Sequence, residues 1–232
     1  MSYGPKSAAE YLLDHGFIPP LAYKATSVAE LTFQINEKDR FQDDKLDILE
    51  FETGQETSME PVQSFDIVAL PGQDSTPDPA MIQFLRLAKL GGTDAFLLES
   101  IFRKEVWGFM SMPVSEINEQ AVVDEVIASC TKALDEMNDV STAEEDQKDA
   151  VAEGVAPSSK ALCATVRSVE RRALTRMLEY MQREREALDL KEYYQERRLR
   201  DLGLDSGWDP DDMNSDVGWG QKRAPGGGDL DW

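Results

Sequence analysis

Histidine appears once in this chain, at His15, and cysteine twice, at Cys130 and Cys163. A single imidazole argues against a histidine-based metal site. The two thiols are far apart in sequence, form no C-x-x-C pair and cannot make a disulfide framework. They are expected to be buried small hydrophobes in a reducing compartment. No apolar run approaches the ~20 residues that a transmembrane helix needs. The first residues read as neither a secretory signal nor an Arg/Ser-rich transit peptide, so no targeting segment is expected within them. Glycine-rich phosphate loops, H-E-x-x-H, Walker and G-x-S-x-G motifs are all missing. Positive charge is scarce: 24 Lys and Arg face 45 Asp and Glu, a net charge of −21. A field of that sign disfavours nucleic acid and anionic membranes, and it favours basic partners or simply keeps the protein soluble.

What the sequence does contain is helical periodicity. Residues 6–15 read as a short helix stopped by Gly16. Residues 28–36 and Phe65–Leu70 read as short strands. Residues 40–51 read as a helix whose Asp43, Asp44 and Asp47 form a solvated face, without the glycine and terminal Glu of a calcium loop. Asp78-Pro79 opens a helix with Asp as cap and Pro at its first position, and Gly91-Gly92 closes it. Thr93 or Asp94 is expected to cap the next helix, which carries Phe96, Leu97, Leu98, Ile101, Phe102, Val106 and Trp107. Ser115 opens another, with Glu116 and Glu119 in its first turn and an apolar stripe of Ile117, Ala121, Val122, Val126, Ile127, Cys130 and Leu134. Residues 139–156 hold six acids and read as an exposed, mobile loop.

The longest periodic run is 158–200, where Leu162, Val166, Val169, Ala173, Met177, Tyr180 or Met181, Leu188 and Tyr194 share one helix face. Eleven basic residues meet seven acidic ones in that run, a local positive excess in an acidic protein. Its Arg171-Arg172 and Arg197-Arg198 doublets serve either an acidic protein surface or intrahelical pairs, such as Glu192 and Glu196 with Arg200. Residues 205–232 are rich in Gly and Asp and read as disordered. Three of the four tryptophans (Trp208, Trp219 and Trp232) lie there, as docking anchors for a partner or as aromatics the tail merely carries.

Two blocks carry a family resemblance. One is Leu85-Arg86-Leu87-Ala88-Lys89-Leu90-Gly91-Gly92-Thr93-Asp94-Ala95-Phe96-Leu97-Leu98-Glu99-Ser100-Ile101-Phe102-Arg103, running on to Val106-Trp107-Gly108. The other is Tyr193-Tyr194-Gln195-Glu196-Arg197-Arg198-Leu199-Arg200-Asp201-Leu202-Gly203-Leu204. Together they resemble the substrate-binding domain that follows SET in the Rubisco large-subunit and aldolase lysine methyltransferases of plants and algae. The N-terminal Tyr3-Gly4-Pro5-Lys6-Ser7-Ala8-Ala9-Glu10-Tyr11-Leu12-Leu13-Asp14-His15-Gly16-Phe17 resembles the end of the SET domain itself. Tyr3 matches the family tyrosine at the methyl-transfer site. A second family tyrosine is replaced by His15.

The resemblance implies a mainly α fold: a helical bundle with one long C-terminal helix, a short strand-containing N-terminal segment and a disordered acidic tail. It divides the chain into a remnant of SET at 1–20, a substrate-binding domain at 21–204 and the tail at 205–232. It implies a protein-lysine N-methyltransferase whose full-length form uses S-adenosylmethionine, with Rubisco large subunit or fructose-bisphosphate aldolase as the protein substrate class. It implies a plastid location, the alternative being cytoplasmic. The family's catalytic core would precede Tyr3, so this chain is expected to be inactive alone and to bind no cofactor or metal. The alternative function is a non-catalytic helical adaptor that binds protein partners through its helical surface and acidic tail. Phe96, Leu97, Phe102, Trp107, Tyr193 and Tyr194 are expected to serve mostly as core anchors.

Overall fold

The computed structural model describes residues 6–19, 26–53, 61–70, 76–99, 105–150 and 158–193. Tyr3, Phe102, Tyr194, the Arg197-Arg198 doublet and the tail with its three tryptophans lie outside the described residues. The fold is mainly helical, with a small two-stranded antiparallel sheet.

Helix α1 spans Ala8–His15. It starts in a capping box, Ser7 accepting from the Glu10 amide and Glu10 accepting from the Ser7 amide, and ends where Gly16 takes the left-handed conformation (φ 73°). Strand β1 (Ser27–Gln34) pairs with β2 (Val62–Ala69), with Ala29 opposite Ile67 and Leu31 opposite Phe65. Ala29, Leu31 and Phe33 point inward while Glu30, Thr32 and Gln34 face solvent, the period-two pattern of a half-buried sheet. Between the strands runs α2, Gln42–Thr53.

Helix α3 spans Pro79–Lys89 and is capped by the Asp78 carboxylate on the Ala80 amide, with Pro79 in the first turn. Helices α4 (Val106–Phe109), α5 (Glu116–Val140), α6 (Ala143–Asp149) and α7 (Ser159–Glu186) follow. Ser115 and Ser158 cap α5 and α7 through their hydroxyls.

Helix α7 is the organiser. Its Val169, Ala173, Leu174, Met177 and Met181 are buried. It packs along α5 and α6 on one side and against both strands on the other. The strands are therefore part of the main core rather than an appendage. Phe33, Phe65 and Phe84 carry that core from the sheet to α3, with ring centroids 6.3 and 5.7 Å apart, a spacing that suits tilted aromatic pairs. A smaller cluster of Ala8, Ile18 and Val169 attaches α1 to α7.

Several expectations are corrected. The acidic stretch 139–156 is not a loop throughout: residues 143–149 form α6, started by a Thr142–Glu145 capping box. The segment after Gly92 is not one helix. A 3-10 turn occupies Gly92–Leu98 with no side-chain cap, and among the described residues that follow, α-helical geometry is next found in the four residues of α4. Asp94 is buried and accepts from the Ser115 hydroxyl at 2.5 Å instead of capping its own segment. Ile117 is exposed rather than part of the α5 stripe; Val123 is buried there instead. Helix α7 stops at Glu186, short of 200, because Leu188 turns into the core and the Tyr193 hydroxyl donates to the Leu188 carbonyl. Cys130 is buried, but Cys163 is exposed.

Candidate protein-docking surface

Three charged nodes, each built from residues distant in sequence, hold the helices in register. At the first, Arg86 of α3 grips Glu119 of α5 with two hydrogen bonds, Nε to Oε1 at 2.5 Å and Nη2 to Oε2 at 3.1 Å. The third guanidinium nitrogen, Nη1, donates to the Met110 carbonyl at 3.0 Å. Both side chains are buried, and the planar fork suits the carboxylate in a way that a lysine could not. Asn118 donates to the Arg86 carbonyl at 3.0 Å. From the far side, Lys191 reaches Glu119 at 3.5 Å and Glu184 at 2.8 Å, pinning the chain that leaves α7. A cavity of about 320 Å³ opens beside this node, bordered by Ile82, Gln83, Val122, Tyr180 and Glu184.

The second node joins α6 to α7. Asp146, 1% exposed at its side chain, takes Arg167 at 2.7 Å and Arg171 at 3.3 Å. It also accepts from the Ser141 hydroxyl at 2.7 Å. Burial pushes the Asp146 carboxyl up, but the hydrogen bonds from Arg167 and Ser141 and the nearby positive charge outweigh it and hold the group below the usual carboxylate range. Arg171 also donates to Asn138 at 2.6 Å and to the Ser141 carbonyl at 3.0 Å. One residue of the Arg171-Arg172 doublet is thus tied across helices, not along its own.

The third node is Lys45, whose side chain is wholly buried and donates to Asp39 at 2.5 Å and to the Ala88 carbonyl at 2.9 Å. Burial pushes its ammonium below the usual lysine value, and Asp39 pulls the other way. Lys45 was missed in the sequence, where it sits among Asp43, Asp44 and Asp47 and reads as solvated. Its place one turn before the buried Ile48 and Leu49 was the available signal.

Of the aromatic and aliphatic anchors, Leu97 and Tyr193 are buried, and Phe96 and Trp107 pack against the core from its edge. The Trp107 carbonyl accepts from Gln83 at 2.8 Å, fixing α4 to α3. These residues build the scaffold. Tyr3 is not among the described residues. His15 ends α1 in ring contact with Tyr11 and Phe17, at 6.0 and 6.1 Å.

Among the described residues, no group of three or more His, Cys, Asp or Glu side chains is placed to hold a metal ion. No helix there is long and apolar enough to cross a membrane. The charged groups beside the 320 Å³ cavity are engaged with one another, Arg86 with Glu119 and Lys191 with Glu184. The arrangement offers a cross-braced, charged helical surface.

Comparison with known proteins places these residues in a family. The family model described as Rubisco LSMT substrate-binding matches residues 36–174. The chain is 46% identical over 200 residues to the chloroplastic ribulose-1,5-bisphosphate carboxylase/oxygenase large subunit N-methyltransferase of Nicotiana tabacum. It is 41% identical over 199 residues to the chloroplastic fructose-bisphosphate aldolase-lysine N-methyltransferase of Arabidopsis thaliana. Each alignment covers 86% of this chain, and the chain spans 38% of the length of each enzyme. Among solved structures, Rubisco LSMT bound to AdoMet superposes with a TM-score of 0.70 at 36% identity, over 91% of this chain and 46% of that one. The SET domain of LSMT bound to lysine and AdoHcy gives 0.72 at 37%, over 91% and 44%.

Proposed function

Because the chain belongs to the Rubisco LSMT substrate-binding family, we propose that it is the substrate-recognition part of an S-adenosylmethionine-dependent protein-lysine N-methyltransferase acting in a plastid. Its task is to dock a folded protein of the Rubisco large-subunit or aldolase class and present one lysine to a catalytic SET core. Methyl transfer belongs to that core and not to the residues described above. A channel for one lysine side chain contacts few atoms, so selectivity among folded proteins needs a second, larger contact. The lobe supplies it as a rigid body. Its helices are cross-braced by Arg86–Glu119 and Arg171–Asp146, which limits the ordering cost on binding.

The observation that carries this reading is the family match across 36–174, the stretch that holds α2 to α6 and the first half of α7. Within the same reading, Tyr3 is the tyrosine that would orient the lysine amine once the SET core is present. The chain is divided at 20 and 204, with 205–232 as a separate tail. The test is capture of purified Rubisco holoenzyme and of aldolase by the full chain, together with calorimetric titration of S-adenosylmethionine. Capture of either protein without cofactor binding supports the proposal. Failure to retain both proteins would sink it, and tight cofactor binding would remove the division of labour.

A further inference from the structure

A groove of about 620 Å³ runs along the outer face of α7 where α6 meets it. Arg171, Arg172 and Arg176 line it, with Ser168, Thr175 and one carboxylate, Glu179. Behind the wall, Asp146 holds Arg171 and Arg167. Three guanidiniums and one carboxylate therefore line the groove, in a protein whose net charge is −21. The basic wall is also stiff. Arg171 is fixed by Asp146, Asn138 and the Ser141 carbonyl. Arg176 is fixed by the Leu70 carbonyl at 2.6 Å, beyond the end of β2. Among the described residues, the Nε of Arg171 is buried without a hydrogen-bond partner.

We infer that this groove is where the lobe receives a carboxylate-rich segment on the surface of its folded protein partner. The inference rests on the recognition role proposed above and assigns that role a surface and a partner chemistry. Guanidinium forks pair with carboxylates two bonds at a time, which sets orientation as well as attraction. Carboxylate is also the anion a folded protein presents without modification. The acidic remainder of the chain repels the same segment elsewhere, so the groove sets the register of docking. At 0.15 M salt the Debye length is about 8 Å, so contact pairs survive while the long-range repulsion is screened.

The test uses the full chain with two kinds of probe. A fluorescently labelled octaglutamate peptide, followed by polarisation at 0.15 M salt, reads the groove alone. Arg172→Glu is expected to weaken binding about tenfold or more, and Arg172→Lys less. Lys132→Glu, on the exposed face of α5, should leave it unchanged. Circular dichroism confirms that each variant is folded. If the wild type does not bind the peptide, or if Arg172→Glu and Lys132→Glu behave alike, the groove is not a carboxylate site. Equal binding of a single-stranded oligonucleotide overturns the inference as well, because the site is then a general anion site. Capture of Rubisco holoenzyme and aldolase separates the two layers of the argument. Capture lost in Arg172→Glu supports both. Capture retained in Arg172→Glu overturns the groove and leaves the recognition role standing. Peptide binding that depends on Arg172, with neither protein captured, keeps the groove and removes the recognition role.

Discussion

Arg86–Glu119 and Arg171–Asp146 are both arginine–carboxylate contacts between helices, yet they do different work. The first is nearly buried: Arg86 and Glu119 keep 9% and 3% of their side-chain surface, and the Met110 carbonyl and the Lys191 ammonium take up further polar atoms beside the cavity. The second is sealed on one side only. Asp146 is buried and Arg171 keeps only 11% of its surface, but the second arginine on the same carboxylate, Arg167, retains 25%, and the arginine row continues into an open groove. A sealed pair can only orient helices, since desolvating both charges cancels most of their attraction. A half-open node orients its arginines beside a groove that another molecule can reach.

The difference can be broken from the sealed side first. Glu119→Ala leaves Arg86 buried without its carboxylate and should lower unfolding free energy by about 3–5 kcal/mol in denaturant titrations. Arg86→Met combined with Glu119→Leu should restore most of that loss. If the double variant is as unstable as the single one, the pair does more than fix orientation. Asp146→Ala comes next, at about 2–3 kcal/mol, because its arginines can turn to water. A third measurement is acid titration. The Asp146 carboxyl is held below its ordinary 3.8, so the folded state takes up that proton less readily than the unfolded state. Its stabilisation is therefore present above 3.8 and lost as pH falls through the folded value. Asp146→Asn should flatten that part of the pH–stability curve, and an unchanged curve would refute the clamp. The smallest effect is expected at the exposed Lys132–Glu136 pair, 3.8 Å apart on one helix. Lys132→Ala should shift stability by no more than about 0.5 kcal/mol.

Local signals were legible in the sequence, and long-range ones were not. Asp78-Pro79 and Ser115 mark helix starts because a cap acts on the next three residues, and both are where the sequence places them. The alternation of β1 is equally local. Asp146 looks like one acid among six until Arg167 and Arg171 arrive from a helix some twenty residues later. Thr142 and Glu145 do form a capping box, a local sign that the density of charge concealed. Lys45 was hidden for the same reason: its partner is the Ala88 carbonyl, 43 residues away. At the site, the anchors Phe96, Leu97, Trp107 and Tyr193 were legible as scaffold. The basic groove was visible only as a positive excess along one helix, because the wall is completed by α6.

The two thiols make the chain its own stopwatch. Cys163 stands exposed on α7, while Cys130 lies in the core with its thiol pushed up to about 12 by burial. Nucleophilic attack requires the thiolate, so an alkylating reagent added to the native protein should modify Cys163 at once. Cys130 should be marked only when the α5–α7 contact opens. The rate of the second alkylation then counts openings of the lobe, and a docked partner that braces the helices would slow it.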